Sequence, residues 1–251
     1  MPVFGNFDFM DFITKHYLLV STFLVTVMYI FIAGLFFLVL YKWKRNPFRH
    51  KQIQLAVIST GQYRREIGLT IITLVIYCIT GYFIGLLFHV GKTSIYLNVT
   101  DYGIIYFIAS ILFMVFLHDT YFYWTHRLLH QPGWFEKVHI THHLSTNPDP
   151  WTALAFHPAE AIIQAAIFPM IILFVPVHPM ALFIFLFYMI FMNVVGHSGF
   201  QIFPYREKGN KWYWWKNSSR QHNDHHQYAR DNYGLYFTLW DRWMNTMRKQ
   251  D

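Results

Sequence analysis

The chain has 251 residues, of which 55% are hydrophobic, 21% aromatic and only 13% charged, whereas about 25% of the residues are charged in a typical soluble domain. This composition excludes intrinsic disorder and argues against an ordinary soluble protein. The formal net charge of +7 favours an anionic partner, and the uncharged runs described next favour a membrane over nucleic acid. The single cysteine excludes intrachain disulfides and multi-thiolate metal sites.

Two uncharged runs predict the first two membrane-spanning helices. Residues 17–41 and residues 67–91 each contain 25 residues without a charge. Each run is longer than the ~20 residues that cross the hydrocarbon core of a bilayer. We therefore expect two full spans in the N-terminal part of the chain.

Two later runs predict the remaining membrane segments. The third run covers residues 102–117, then meets His118 and Asp119 and continues to residue 125. The last run, residues 161–195, has no charge and is interrupted by the VPVHP sequence at 175–179. It leaves two segments of about 17 residues, the lower limit for spanning, and predicts a tight hairpin that either crosses twice or dips in and returns.

Loop charges predict the orientation in the membrane. The loop at 42–66 holds seven Lys or Arg residues against the single Glu66, whereas the loop at 92–101 holds one charge of each sign. Because cytoplasmic loops carry the excess of Lys and Arg, we expect the first loop, residue 125 and residue 196 on the cytoplasmic side. The sequence thus predicts an all-α integral membrane protein with about four transmembrane helices (two full spans, a third span leading into the first histidine cluster, and a short hairpin) and a cytoplasmic, helical, histidine-rich cap.

Histidine is the unusual residue of this chain, because 12 of the 15 histidines fall between positions 118 and 226. Eight of them form one H-x3-H cluster and two H-x2-H-H clusters, a spacing that places imidazoles on one face of a helix. Neutral imidazole binds iron, zinc, copper or nickel, and eight rings are too many for one ordinary ion, so we expect a two-metal centre. The eight are His126, His130, His139, His142, His143, His222, His225 and His226.

Other metal chemistries fit the pattern less well. A zinc protease needs glutamate after the first histidine, but position 127 is arginine, and a haem needs only two axial histidines. Imidazoles without thiolates suit oxygen activation by non-haem iron. Two alternatives stay open: a non-catalytic metal-binding or metal-transporting membrane protein, and a zinc-dependent membrane hydrolase.

Three stretches carry a family resemblance. HDTYFYWTHRLLHQPGWFEKVHITHHLSTNPDPWTALAFHPAE, then GHSGFQIFP, then RQHNDHHQYARDNYGLYFTLWDRWMNT are similar to the fatty acid hydroxylase/sterol desaturase superfamily. The resemblance implies an integral-membrane oxygenase with two iron ions and O2 as co-substrate. It implies hydroxylation or desaturation of a C–H bond of a sterol-like or long-chain lipid, with electrons from a separate ferredoxin- or cytochrome-type donor and its reductase.

The resemblance also implies a division of the chain and a set of site residues. Residues 1–101 become a membrane anchor and residues 102–251 the catalytic domain. The eight cluster histidines and His197, in GHSG, match the metal ligands of the family. His157, in HPAE, is a candidate ligand or the residue that begins a helix, and Asp119 is a candidate carboxylate behind a ligand imidazole or a polar residue of the membrane interface. Glu160 is a weaker candidate, and Gln201 stands where some relatives have a further histidine.

Overall fold

The structure is a computed structural model that describes residues 17–43, 47–203 and 214–248. Within these ranges the chain is helical, with isolated β-bridges and no strand. In chain order the α-helices are α1 (Tyr17–Phe37), α2 (Thr60–His89), α3 (Gly103–Leu129), α4 (Ile140–His143), α5 (Pro158–Ala165), α6 (Ile167–Phe174), α7 (Pro179–His197), α8 (Ser219–Tyr228) and α9 (Leu239–Trp243). Short π-helical turns follow α1 at Leu38–Lys42 and precede α4 at Phe135–His139, and a 3-10 turn lies at Pro150–Leu154.

Four of these helical segments are long and apolar enough to cross a membrane: Phe23–Lys42, Thr60–His89, Gly103–Leu129 and Pro179–His197. Their outer faces expose large apolar side chains such as Phe31 and Ile105, which is 82% exposed. Such continuous apolar exposure is unusual for a soluble monomer and is what a lipid-facing surface requires. The expectation of an all-helical membrane protein with about four spans is confirmed for the described part of the chain.

The hairpin predicted for residues 161–195 forms with unequal arms. Its first arm consists of α5 and α6, which together cover only Pro158–Phe174, and its second arm is the 19-residue α7. The turn between them contacts the loop that joins α2 to α3, because Tyr96 N donates to Val177 O at 3.1 Å and Ser94 N donates to Ile172 O at 2.7 Å. The hairpin therefore reaches the end of the bundle opposite the histidines and does not turn back halfway.

Part of the predicted loop at 42–66 is helical instead. Helix α2 begins at Thr60 because the Oγ of Ser59 accepts a hydrogen bond from Gln62 N at 3.1 Å, a favourable N-cap. A helix of 30 residues is about 45 Å long and exceeds the ~30 Å hydrocarbon core. Its first two turns therefore extend into the histidine-bearing end, where Glu66 is fully buried.

Hydrophobic clusters hold the described part of the bundle together. One joins α1, α2 and α7 to the segment before α5, and includes Tyr29, Leu74 and Leu154. Another joins α3 to both arms of the hairpin and includes Met114 and Phe185, each fully buried. The Oη of Tyr29 also donates to Trp151 O at 3.0 Å, so the N-terminal helices are packed directly against the chain that follows the second histidine cluster.

Gly199, just after α7, is expected to tolerate no larger residue. It has a φ of +71°, and a Cβ atom there would overlap the Oη of Tyr41 and lie 3.1 Å from Pro148 O. A non-glycine residue in this region costs about 1–3 kcal/mol through backbone strain alone. We expect Gly199→Ala to lower the thermal unfolding temperature in detergent, with Gly68→Ala as control because a Cβ atom at Gly68 meets no atom within 4 Å. Equal unfolding temperatures for the two variants would contradict this expectation.

Candidate metal centre

The histidine clusters converge at one end of the bundle from four places in the chain. His126 lies in the last turn of α3 and His130 caps that helix, whereas His197 ends α7. The second cluster lies in the π turn and α4, and the third lies in α8. The structure therefore places the histidine-rich segments, which are separate in the sequence, beside one another.

The ligand atoms divide into two groups, within each of which they lie no more than 4.8 Å apart. The five-histidine group contains His126, His130, His139, His143 and His225. The four-histidine group contains His142, His197, His222 and His226. His130 is partly buried, and the other eight are buried.

Ring nitrogens of different histidines approach one another closely inside both groups. In the five-histidine group, the Nε2 of His126 lies 3.0 Å from the Nε2 of His139, and the Nε2 of His130 lies 3.1 Å from that of His225. In the four-histidine group, His197 Nε2 lies 2.9 Å from His222 Nε2 and 3.2 Å from His142 Nε2.

The other ring nitrogen shows which tautomer these histidines adopt. Five Nδ1 atoms face backbone carbonyl oxygens, and a carbonyl only accepts, so each of these Nδ1 atoms carries the proton. The Nε2 atoms of His142 and His197, which lie 3.2 Å apart, consequently present lone pairs to each other, and this is repulsive unless a cation lies between them. The five contacts are His126 to Tyr233 O (2.9 Å), His142 to Ala155 O (3.3 Å), His143 to His226 O (3.4 Å), His197 to Asn193 O (2.8 Å) and His225 to Asp231 O (2.6 Å).

A proton is a poor candidate for that cation. Burial lowers the pKa of His143 to about 3, and burial with neighbouring imidazoles lowers the pKa of His142 and His226 well below the usual range. The rings are therefore neutral near pH 7, and the Nε2 atoms of His143 and His226 have no hydrogen-bond partner. Neutral, desolvated imidazoles with free lone pairs are the donor set of a transition-metal site, so the residues present fit a bound metal.

Of the two candidate carboxylates, Asp119 contacts a backbone segment and Glu160 contacts a clustered histidine. The Oδ1 of Asp119 accepts hydrogen bonds from Tyr236 N at 2.7 Å and Phe237 N at 3.2 Å, so this carboxyl group holds the loop before α9. Glu160, the weaker candidate, is the carboxylate that meets a clustered histidine, with its Oε1 2.9 Å from His139 Nδ1. The HPAE motif was the signal in the sequence that could have given Glu160 more weight.

His157 lies outside both groups of ligand atoms. Its Nδ1 accepts a hydrogen bond from Ala159 N at 3.2 Å, and Pro158 follows as the first residue of α5. Proline is favoured at this position because its missing N–H is not needed there. The structure therefore gives His157 the helix-initiating place and brings it to neither cluster.

Two further polar residues bind the backbone near the clustered histidines. Asp241 accepts hydrogen bonds from Tyr233 N and Gly234 N at 2.9 and 2.8 Å, and Tyr233 O is the acceptor for His126. Gln201 accepts from Arg220 N at 3.0 Å at the start of α8, so the residue that stands in place of a histidine orients the helix of the third cluster.

Residues 111–246 match the sequence profile of the fatty acid hydroxylase family. The matched segment is more than half of the chain and contains all nine clustered histidines. The chain belongs to the fatty acid hydroxylase family. The resemblance to the fatty acid hydroxylase/sterol desaturase superfamily is thereby confirmed, while α1 and α2 lie outside the matched segment.

Known relatives of this fatty acid hydroxylase family member include sterol-modifying proteins. The chain is 34% identical over 160 residues to a delta(7)-sterol 5(6)-desaturase of Gibberella zeae, a match that covers 63% of this chain and 47% of that protein. It is 29% identical over 201 residues to the lathosterol oxidase of Homo sapiens (78% of this chain, 64% of that protein) and 30% identical over 226 residues to that of Rattus norvegicus (86% and 69%).

The chain spans about half the length of several of these curated relatives, including 51% of a delta(7)-sterol 5(6)-desaturase of Schizosaccharomyces pombe. No solved structure matches the chain significantly. The likeness to the relatives is thus one of sequence.

Proposed function

We propose that this protein is an O2-dependent di-iron enzyme that hydroxylates or desaturates a C–H position of a sterol-like or long-chain lipid. The observation that carries the proposal is the pair of adjacent groups of neutral imidazoles, whose Nε2 lone pairs face one another in a member of the fatty acid hydroxylase family. The relatives named as sterol desaturases and lathosterol oxidases support a sterol-like substrate.

In this proposal each histidine group holds one iron ion. The ligands are the nine clustered histidines, with His157 left outside and Asp119 bracing the C-terminal loop. When bound, the two ions supply the one-electron steps that activate O2 for attack on an unactivated C–H bond. Hydroxylation consumes O2, two electrons and two protons and yields one water, whereas desaturation consumes the same reactants, removes two hydrogen atoms from the lipid and yields two waters.

The protein's own task is to orient the ligands, keep water out and admit one lipid carbon. Backbone carbonyls fix five of the imidazoles, as described above. A cavity of about 10 Å³, room for roughly one water molecule, adjoins His197 and His222 and has Met192, Val195 and Leu235 in its apolar wall. We propose that a lipid reaches the metals from this side and widens the cavity as it enters.

The proposal also includes the orientation of the protein in the membrane and the source of its electrons. The seven basic residues of the segment 42–66 lie on the histidine-bearing side of the spans in the predicted topology, which supports a cytoplasmic metal site. We further propose that residues 102–251 carry the chemistry and that residues 1–101 anchor and brace them. A separate ferredoxin- or cytochrome-type donor with its reductase would supply the electrons.

Lipid mass spectrometry of cells with and without the protein tests this proposal. We expect a lipid that gains one oxygen atom or loses two hydrogen atoms in air, and neither product under anaerobic growth. Purified protein is expected to hold about two iron ions per chain. Metal flux into vesicles with no oxidised lipid would favour a transporter, and turnover with zinc and without O2 would favour a hydrolase.

A further inference from the structure

Glu160 is a carboxylate placed directly behind one ligand imidazole. Its Oε1 lies 2.9 Å from the Nδ1 of His139, and both residues are only 1% exposed. The Nδ1 atoms of five other clustered histidines face neutral carbonyl oxygens instead. Among the described histidines of the two groups, His139 is the one whose ring contacts a carboxylate oxygen.

The local fold places this carboxyl group at the start of a helix. Glu160 lies in the first turn of the eight-residue α5, three residues after the N-cap His157. The N-terminus of a helix carries a partial positive charge and stabilises an anion in its first turn. When a cation is bound at the Nε2 of His139, the Nδ1 of that ring carries the proton and faces the Oε1 of Glu160.

The four-histidine group contains no equivalent carboxylate among the described residues. Its His142 and His197 donate to backbone carbonyls, and the Nδ1 atoms of His222 and His226 have no hydrogen-bond partner. The five-histidine group therefore has one more imidazole and a neighbouring carboxyl group, and the four-histidine group has imidazoles alone.

We propose that Glu160 makes the two metal positions unequal: as a positioning residue for His139, it gives the five-histidine position the higher affinity for a divalent cation. A carboxylate behind a metal-bound imidazole fixes the ring and raises the basicity of the ligand. This inference rests on the proposed function, since it assumes that both groups bind metal.

Anaerobic titration of the metal-free, full-length protein in detergent with Fe²⁺ tests the inference. We expect two binding steps of different affinity, and we expect Glu160→Gln to weaken the tighter step by about 10–100-fold while the weaker step stays unchanged. Glu136→Gln is the matched control, because Glu136 is exposed and its carboxylate accepts a hydrogen bond from Gly133 N. Mössbauer spectra should show a changed signal for one iron in Glu160→Gln and for neither iron in Glu136→Gln.

A double-variant cycle separates the role of Glu160 from general damage to the fold. If Glu160 acts through His139, Glu160→Gln should weaken binding no further in a protein that already carries His139→Ala. An equal effect in both backgrounds, unchanged binding in Glu160→Gln, or an equal weakening of both steps would overturn the inference. Two steps of equal affinity in the wild-type protein would overturn it even if the variants do not fold. A complete absence of iron binding would instead reject the proposed function.

Discussion

Replacing His225 with alanine is expected to abolish lipid oxidation and to remove iron from the five-histidine group. His142→Ala is expected to do the same to the four-histidine group. Each change deletes one of the lone pairs that face the metal, and losing a ligand should cost more than losing a partner behind it, which typically costs about 10–100-fold in affinity or activity. Because His142 lies in α4 and His225 in α8, outside the four candidate spans, we expect the membrane helices to remain folded.

Iron analysis of the purified variants and lipid mass spectrometry measure the two expected losses. His157→Ala provides the matched control, since it removes an imidazole that lies outside both groups and takes part in a helix cap. It should retain its iron and lose about 1 kcal/mol of stability through the missing cap. Full lipid oxidation by iron-free His142→Ala or His225→Ala would contradict the di-iron proposal.

The convergence of the histidines could be predicted because it depends on local spacing and on the number of spans. The division of the histidines into two groups could not be predicted from the sequence. Helical spacing places His142 and His143 in one cluster, yet the first belongs to the four-histidine group and the second to the five-histidine group. His222 and His225 are separated in the same way. Adjacent residues on a short helix point to different sides of the metal centre, and only the packing of α4 against α8 and α7 determines which rings meet.

The carboxylates show the same limit of reasoning from spacing. Asp119 lies seven residues before His126, on nearly the same face of α3, yet its partners are backbone N–H groups 117 and 118 residues later. Glu160 reaches His139 across the fold. Tertiary contacts determine which group a carboxylate binds, so spacing along one helix gives little information about its partner.

The burial of Glu66 was also not predicted from the sequence. Glu66 lies outside the matched family segment, yet we expect its removal to destabilise the metal centre. The charge pattern placed it at the end of a basic loop, whereas it is fully buried in α2. Its Oε1 accepts hydrogen bonds from Gln62 Nε2 at 2.8 Å, Ser145 Oγ at 2.7 Å and Thr152 Oγ1 at 2.8 Å.

These bonds connect the N-terminal helices to the second histidine cluster. Ser145 lies two residues after His143, and Thr152 lies three residues before Ala155, whose carbonyl oxygen orients His142. Glu66 therefore holds both ends of the segment that follows the cluster. If α1 and α2 were a passive anchor, a change at Glu66 would leave the metal centre unaffected.

We expect Glu66→Ala to lower the free energy of unfolding by about 2–6 kcal/mol, because it leaves the buried hydroxyl groups of Ser145 and Thr152 without their acceptor and each costs about 1–3 kcal/mol. Thermal unfolding in detergent should shift downward by roughly 10 °C, and the purified protein should retain less iron. Glu66→Gln keeps an acceptor oxygen of the same reach, so its losses should be smaller. If Glu66→Ala unfolds at the wild-type temperature and keeps its full iron content, the N-terminal helices do not brace the site through this residue.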